Sequence, residues 1–179
     1  MTDRKAILYI SCSLDGYIAK PGDDLGFLNM VRKEGEDYGY NEFIRTVDTV
    51  IAGRRTYDWV LEQGYEFPHK KERTYIITSH EQPEKDNLTF FGGDLKELVR
   101  KLKEQDGKNI FCVGGAEIVN QLLAGKSLDE IIISFIPVLV GNGTRLFEDE
   151  RPEQKLELLS TRTFDSGLVQ LRYKMKTEV

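Results

Sequence analysis

Asp48-Thr49-Val50-Ile51-Ala52-Gly53-Arg54-Arg55-Thr56-Tyr57 is the stretch on which the reading of this sequence turns. Thr49-Val50-Ile51-Ala52 lacks polar alternation, the pattern of a strand buried on both faces of a helix-covered sheet. Gly53 permits close backbone approach, and Arg54 and Arg55 open what reads as a helix over 56–62. A helix start offers unpaired N–H donors, and guanidinium groups match phosphate oxygens bidentately. Two adjacent arginines oppose the helix dipole at that position. An anionic ligand would offset the cost, whereas two solvated arginines would give the same residue pattern.

Outward from this stretch, apolar runs and helical patterns alternate. Strands are expected at 6–12, 49–52, 74–78, 88–91, 109–113, 130–136, 156–163 and 168–175. Helices are expected at 38–47, 56–62, 94–105 and after Gly114-Gly115, where Ile118, Val119, Leu122 and Leu123 share one face. The 94–105 helix is the clearest, with Asp94 at the N-cap, Glu97 at capping-box spacing, Leu95, Leu98, Val99 and Leu102 on one face, and Gly107 beyond its end. The order β-α-β-α-β-β-α-β-α-β-β-β implies an α/β fold with a mostly parallel sheet between helices. Asp165-Ser166-Gly167 separates the last two strands, which read as a C-terminal antiparallel hairpin. The 179 residues suit one domain.

Composition narrows the partners. With 25 Lys+Arg against 30 Asp+Glu the net charge is −5, which disfavours the polyanionic surfaces of nucleic acids and membranes. A small molecule is the expected partner. Cys12 and Cys112 each sit in an apolar run and read as buried free thiols of a reducing cytosol. His69 and His80 lack metal-ligand spacing, and no apolar stretch approaches a membrane span or a signal peptide core. The chain reads as cytoplasmic and metal-free.

In open α/β sheets, ligands bind beyond the carboxyl ends of the strands. Besides Gly53-Arg54-Arg55-Thr56, three further exits fit a nucleotide. Gly114-Gly115-Ala116-Glu117 exposes N–H groups and leaves room for a diphosphate, although a tight strand-to-helix turn would use the same glycines, and the segment is neither a GxGxxG fingerprint nor a P-loop. Thr78-Ser79 supplies two hydroxyls for a ribose or adenine. The first strand leaves into Ser13-Leu14-Asp15-Gly16-Tyr17-Ile18-Ala19. A dinucleotide accounts for such a row of sites economically.

The segments 10–19, 48–57, 75–79 and 113–116 resemble the dihydrofolate reductase superfamily in residues, order and spacing. Asp129-Glu130-Ile131 with Pro137-Val138-Leu139-Val140-Gly141-Asn142-Gly143 and Leu146-Phe147 is more particular, and is similar to the reductase domain of bacterial riboflavin biosynthesis enzymes. That resemblance implies a three-layer dihydrofolate reductase-like fold, with an eight-stranded mostly parallel sheet, four helices and an NADPH groove. It implies that Gly53, Arg54, Arg55 and Thr56 bind the 2′-phosphate and diphosphate, with Thr78 and Ser79 beside the adenosine ribose. Gly114, Gly115, Ala116, Glu117 and Ile118 would carry the rest of the diphosphate and border the nicotinamide, near Ser11, Ile18 and Ala19.

The implied reaction is hydride transfer to a pyrimidine- or pterin-like heterocycle, most like that of 5-amino-6-(5-phosphoribosylamino)uracil reductase. An ungapped register back from Gly53 places Asp37 where folate reductases carry a substrate-binding, proton-relaying carboxylate. In a partly apolar cleft such a group would have a raised pKa. The neighbours Glu34, Glu36 and Glu42 equally fit a solvated acidic face. Arg73 has about the spacing of the arginine that holds the folate glutamate. Dihydrofolate reductase and a non-catalytic NADP-binding protein are the alternative readings. The His/Cys zinc signature of the deaminase to which riboflavin reductases are fused does not occur in these 179 residues. The resemblance also implies a homodimer, with the apolar C-terminal hairpin as the surface on offer.

Overall fold

The structure, a computed structural model, describes residues 3–80 and 82–176. All eight expected strands lie in one sheet. In chain order they are β1 (Ala6–Ser13), β3 (Val47–Gly53), β4 (Arg73–Ile77), β5 (Leu88–Phe91), β6 (Asn109–Gly114), β7 (Glu130–Ile136), β9 (Leu156–Thr163) and β10 (Val169–Met175). Their order across the sheet is β5-β4-β3-β6-β1-β7-β10-β9. The first six are mutually parallel, whereas β10 runs antiparallel to both β7 and β9. The expected C-terminal hairpin therefore closes one edge.

Pleating sends alternate side chains to opposite layers. Ala6, Leu8 and Cys12 of β1 join the core beneath the helices α3 (Leu95–Glu104) and α4 (Ala116–Ala124). Ile7 and Tyr9 pack on the other face, against Phe43 and Ile44 of α1 (Tyr40–Ile44). On that same face, Ala52, Ile76, Leu88 and Phe90 cover the underside of α2 (Arg54–Glu62). Asp94 caps α3, its Oδ1 accepting from Glu97 N at 2.8 Å, and the Glu97 carboxylate turns to Arg100. Buried Glu130 binds Lys5 at 3.0 Å and Arg172 at 2.6 Å, tying β7 to both of its neighbours.

One expectation changes, and two elements were not expected at all. The helix expected over 38–47 shrinks to Tyr40–Ile44, because Gly39 starts it in the left-handed region (φ 86°) and Val47 is drawn into the ladder beside Asn109. Residues Gly26–Val31, unassigned from sequence, form a 3-10 helix. A two-stranded ribbon was also too short for periodicity to reveal: β2 (Tyr17–Ala19) pairs with β8 (Thr144–Arg145). Asp15 fixes it, its carboxylate accepting from Val140 N at 3.0 Å and Gly141 N at 2.8 Å. The hydrogen bond from the Ser13 hydroxyl, followed by those backbone bonds, pulls the Asp15 pKa down to about 2. Gly143 passes so near that a Cβ there would lie 2.0 Å from the Ala19 carbonyl oxygen.

Candidate active site

A groove of about 870 Å³ crosses the carboxyl ends of β4, β3, β6 and β1, within the range of cofactor and ligand pockets. Its centre is built by two helix starts. The N-cap residues of α2 and α4 are Gly53 and Gly115, and neither start has a side-chain cap, unlike that of α3. The two glycines are packed together. A Cβ on Gly53 would stand 3.0 Å from Ile118 Cγ1 of α4, which would have to give by a few tenths of an ångström, and in ordinary contact, 3.6 Å, with Gly115 N. The Gly114–Gly115 peptide is cis. Adjacent unsatisfied N–H groups at two helix starts make a cradle for a diphosphate, so the residues present fit a dinucleotide.

Arg54 and Arg55 both line this groove, and both are engaged. Arg54 Nε donates to Asp58 at 2.7 and 2.9 Å, while its guanidinium lies over the Tyr57 and Phe90 rings at 5.9 and 5.7 Å. Arg55 reaches across to Asp23, with Nη2 2.6 Å from Oδ1 and Nε 3.2 Å from Oδ2. Arg54 is thus half-buried, whereas Arg55 stays largely exposed with Asp23 as its partner. Beyond β4, the Thr78 hydroxyl accepts from His80 N at 3.1 Å, and the Ser79 hydroxyl lies 2.9 Å from His80 Nδ1. Ser11, Ile18, Ala19, Thr56, Ala116, Glu117 and Ile118 also line the groove. Gly114 does not; it lies behind the cradle, buried against Ile10 and Val119.

Asp37 is elsewhere, and the expectation for it is corrected. Its two carboxylate oxygens accept from Asn41 N and Gly39 N, both at 2.9 Å, capping α1. Those bonds, Asn41 first, lower its pKa rather than raise it, and it does not line the groove. Arg73 likewise turns away, stacking 5.4 Å over Tyr75, on the α3–α4 face of the sheet.

Sequence reasoning missed the aromatic end of the groove. Tyr9, Tyr40 and Phe111 meet there, with Tyr9–Tyr40 centroids 5.8 Å apart and Tyr40–Phe111 centroids 6.3 Å apart, both edge to face. Tyr9 Oη donates to the Tyr38 carbonyl and accepts from Gln170 Nε2, each at 3.1 Å. Burial raises the pKa of both phenols, that of Tyr40 to about 12 with help from the Glu72 carboxylate. Both stay neutral near pH 7. One signal for Tyr9 lay in the sequence: it is two residues from Ser11 on β1 and so shares its face.

A sheet of this order, with two glycine-started helices converging on one groove, defines the dihydrofolate reductase-like class of α/β protein. The match to the RibD C-terminal domain model covers residues 4–170, and the chain belongs to that family. It is 40% identical over 172 residues to the uncharacterised protein YwjB of Bacillus subtilis, covering 96% of this chain and 98% of YwjB. Among solved structures it superposes with TM-score 0.88 on one described as a riboflavin biosynthesis protein of Shewanella sp. PV-4, at 24% identity over 97% of this chain and 99% of that one. The deaminase/5-amino-6-(5-phosphoribosylamino)uracil reductase of Thermotoga maritima matches at TM-score 0.72 and 15% identity, over 97% of this chain and 57% of its own. Dihydrofolate reductase of Enterococcus faecalis, complexed with NADP(H), matches at TM-score 0.68 and 13% identity, over 97% of both chains.

Proposed function

We propose that this protein is an NADPH-dependent reductase acting on a pyrimidine- or pterin-like heterocycle, in the manner of 5-amino-6-(5-phosphoribosylamino)uracil reductase. The observation that carries the reading is the pair of uncapped helix starts at Gly53 and Gly115, abutting in one groove with Arg54 and Arg55 beside them. When bound, NADPH supplies the hydride. The protein's share is binding and orientation. The N–H groups of α2 and α4 would hold the diphosphate, Arg54 and Arg55 the 2′-phosphate, and Thr78 and Ser79 the adenosine ribose. Ser11, Ile18, Ala19, Glu117 and Ile118 would wall the nicotinamide, while Tyr9, Tyr40 and Phe111 exclude water around a planar substrate.

The proposal takes residues 1–179 as one cytoplasmic domain serving a small molecule rather than nucleic acid or membrane. No helix among the described residues is long and apolar enough to cross a bilayer. It includes a homodimer formed through the edge strand β9, where Leu156, Leu158 and Leu159 are 40 to 53% exposed. Light scattering of the purified protein reads that mass directly.

Thermal unfolding with each cofactor tests the central claim. NADPH at 100 times its Kd should add about 2.7 kcal/mol, or roughly 5–11 °C in Tm for a chain of this size. NADH should do so only at much higher concentration. No shift with either cofactor refutes the reading, and binding without turnover of any pyrimidine or pterin leaves a non-catalytic NADP-binding protein.

A further inference from the structure

Behind the aromatic end of the groove, three acceptors converge on one side-chain amide. Gln170 of β10 is 7% exposed, and its Nε2 donates to Tyr9 Oη at 3.1 Å, to the Tyr38 carbonyl at 3.2 Å and to Ser134 Oγ at 3.0 Å. A carbonyl can only accept, so the amide nitrogen and not its oxygen must face Tyr38. Tyr9 Oη donates to that same carbonyl at 3.1 Å, which closes a triangle of Gln170, Tyr9 and Tyr38.

Two corners of the triangle lead into the groove. Tyr9 lines it directly. Tyr38 does not, but it precedes Gly39 and Tyr40, and Tyr40 both opens α1 and lines the groove. Tyr38 is left-handed at φ 55°, followed by Gly39 at φ 86°. Glycine adopts that conformation freely, whereas a tyrosine keeps it only where its surroundings hold it. Here they do. Gln170 and Tyr9 hold the Tyr38 carbonyl; its hydroxyl donates to the Val31 carbonyl and lies 2.8 Å from Ser166 Oγ, in the turn between β9 and β10. The C-terminal hairpin thus fixes the turn that presents Tyr40.

Gln170 and Ser134 stand opposite each other across the β10–β7 pair, and both are buried. Ser134 shares its face of β7 with Ile132, which packs with Ile7, Phe43 and Phe111. Burying polar groups beside such a layer costs desolvation that only their hydrogen bonds offset. Resting on the reductase reading above, we infer that Gln170 is a positioning residue for the substrate. It lies outside the groove, and through its bonds to Tyr9 and Tyr38 it fixes the Tyr9 ring and the turn carrying Tyr40, the walls between which a planar heterocycle is held. It does not reach the cofactor cradle. In strand order β1 and β7 separate β10 from β6, and β3 lies one strand further off.

The test follows NADPH oxidation by the full-length protein with the better used of 5-amino-6-(5-phosphoribosylamino)uracil and 7,8-dihydrofolate, while calorimetry records the NADPH Kd separately. Gln170→Met keeps the length of the side chain and removes its donor. It should raise the KM for the heterocycle about 5- to 10-fold, the size of one lost neutral hydrogen bond, with the NADPH Kd unchanged within about twofold. Tyr9→Phe breaks the same triangle from the groove side, should show the same selective loss, and carries the test if Gln170→Met does not fold. The double variant should be no worse than the more impaired single one, because both act through one bond. An unchanged heterocycle KM, an equal loss in NADPH binding, or losses that add in the double variant overturns the inference. NADPH binding with turnover of neither compound also overturns it and leaves the cofactor assignment standing. Absence of NADPH binding removes the reductase reading, and the inference with it.

Discussion

Asp23→Ala should tighten NADPH binding, because Asp23 holds the arginine that a 2′-phosphate would engage. In the structure the Asp23 carboxylate accepts two hydrogen bonds from Arg55, whose side chain is 76% exposed. An exposed ion pair is worth about 0.2–1 kcal/mol. Binding the phosphate breaks the pair, so deleting Asp23 removes that cost and should lower the NADPH Kd by about 1.4- to 5-fold. NADH has no 2′-phosphate and should be unaffected. Arg55→Ala removes a charge-assisted hydrogen bond worth about 1.5 kcal/mol at its weaker limit, the appropriate limit for so exposed a group, and should weaken NADPH about 10-fold. In the Asp23→Ala/Arg55→Ala double variant the gain from the first substitution should vanish, since its beneficiary is gone. Calorimetric titration of the four proteins with both cofactors, at one fixed ionic strength, completes the cycle. A gain that appears equally with NADH, or that survives in the Arg55→Ala background, refutes the competition between carboxylate and phosphate.

Three further outcomes follow from the scaffold. Gly143→Ala places a Cβ 2.0 Å from the Ala19 carbonyl oxygen at φ 139°; backbone strain alone costs about 1–3 kcal/mol, and a Tm unchanged within about a degree would contradict the close approach. Asp94→Ala deletes the α3 cap and should cost about 1 kcal/mol, or about 2–4 °C in Tm, with cofactor binding unaltered. Asp15 has its folded pKa pulled down to about 2, against about 3.9 in the unfolded chain. Its contribution to stability is therefore present above pH ~4 and lost as pH falls towards ~2, and acid unfolding of Asp15→Asn, followed by circular dichroism, should show a shallower pH dependence over that window.

The parts of the fold that were legible from sequence are those whose signal is periodic and local. Leu95, Leu98, Val99 and Leu102 mark α3 because a helix repeats its buried face every three to four residues, and Asp94 marks its start because a short acceptor satisfies an orphan N–H. The strand exits were legible for the same reason, since the apolar run of β3 ends at a glycine that packs closely against Ile118 and Gly115. What escaped depends on partners far away in sequence. β2 exists because Asp15 and Gly143 bring a segment some 125 residues distant against it, and two or three residues carry no period. Asp37 occupied a place where a carboxylate is expected, yet its bonding is decided by Gly39 turning left-handed, which lets the chain fold back on that same carboxylate. The aromatic end needs Tyr9, Tyr40 and Phe111 from three elements, and only the Tyr9–Ser11 alternation is readable within one of them.

The net charge of −5 and a groove suited to a polyanion are reconciled by where the positive potential resides. Asp58 and Asp23 largely neutralise Arg54 and Arg55 in the absence of a ligand, so the arginines contribute little net field until a phosphate displaces a carboxylate. The permanent component comes from backbone: two helix starts, each equivalent to about +0.5 elementary charge, converge between Gly53 and Gly115. Backbone dipoles lose no rotamer entropy on binding, whereas the exposed Arg55 does. The diphosphate contribution, common to NADPH and NADH, should therefore be preorganised and weakly sensitive to salt. On the proposed assignment the 2′-phosphate contribution, which separates the two cofactors, would pass through a solvated guanidinium and be screened over about 8 Å at physiological ionic strength. Raising salt should then erode the preference for NADPH faster than the affinity for NADH, and a preference that is flat with salt would place the discriminating contact on buried groups instead of Arg55.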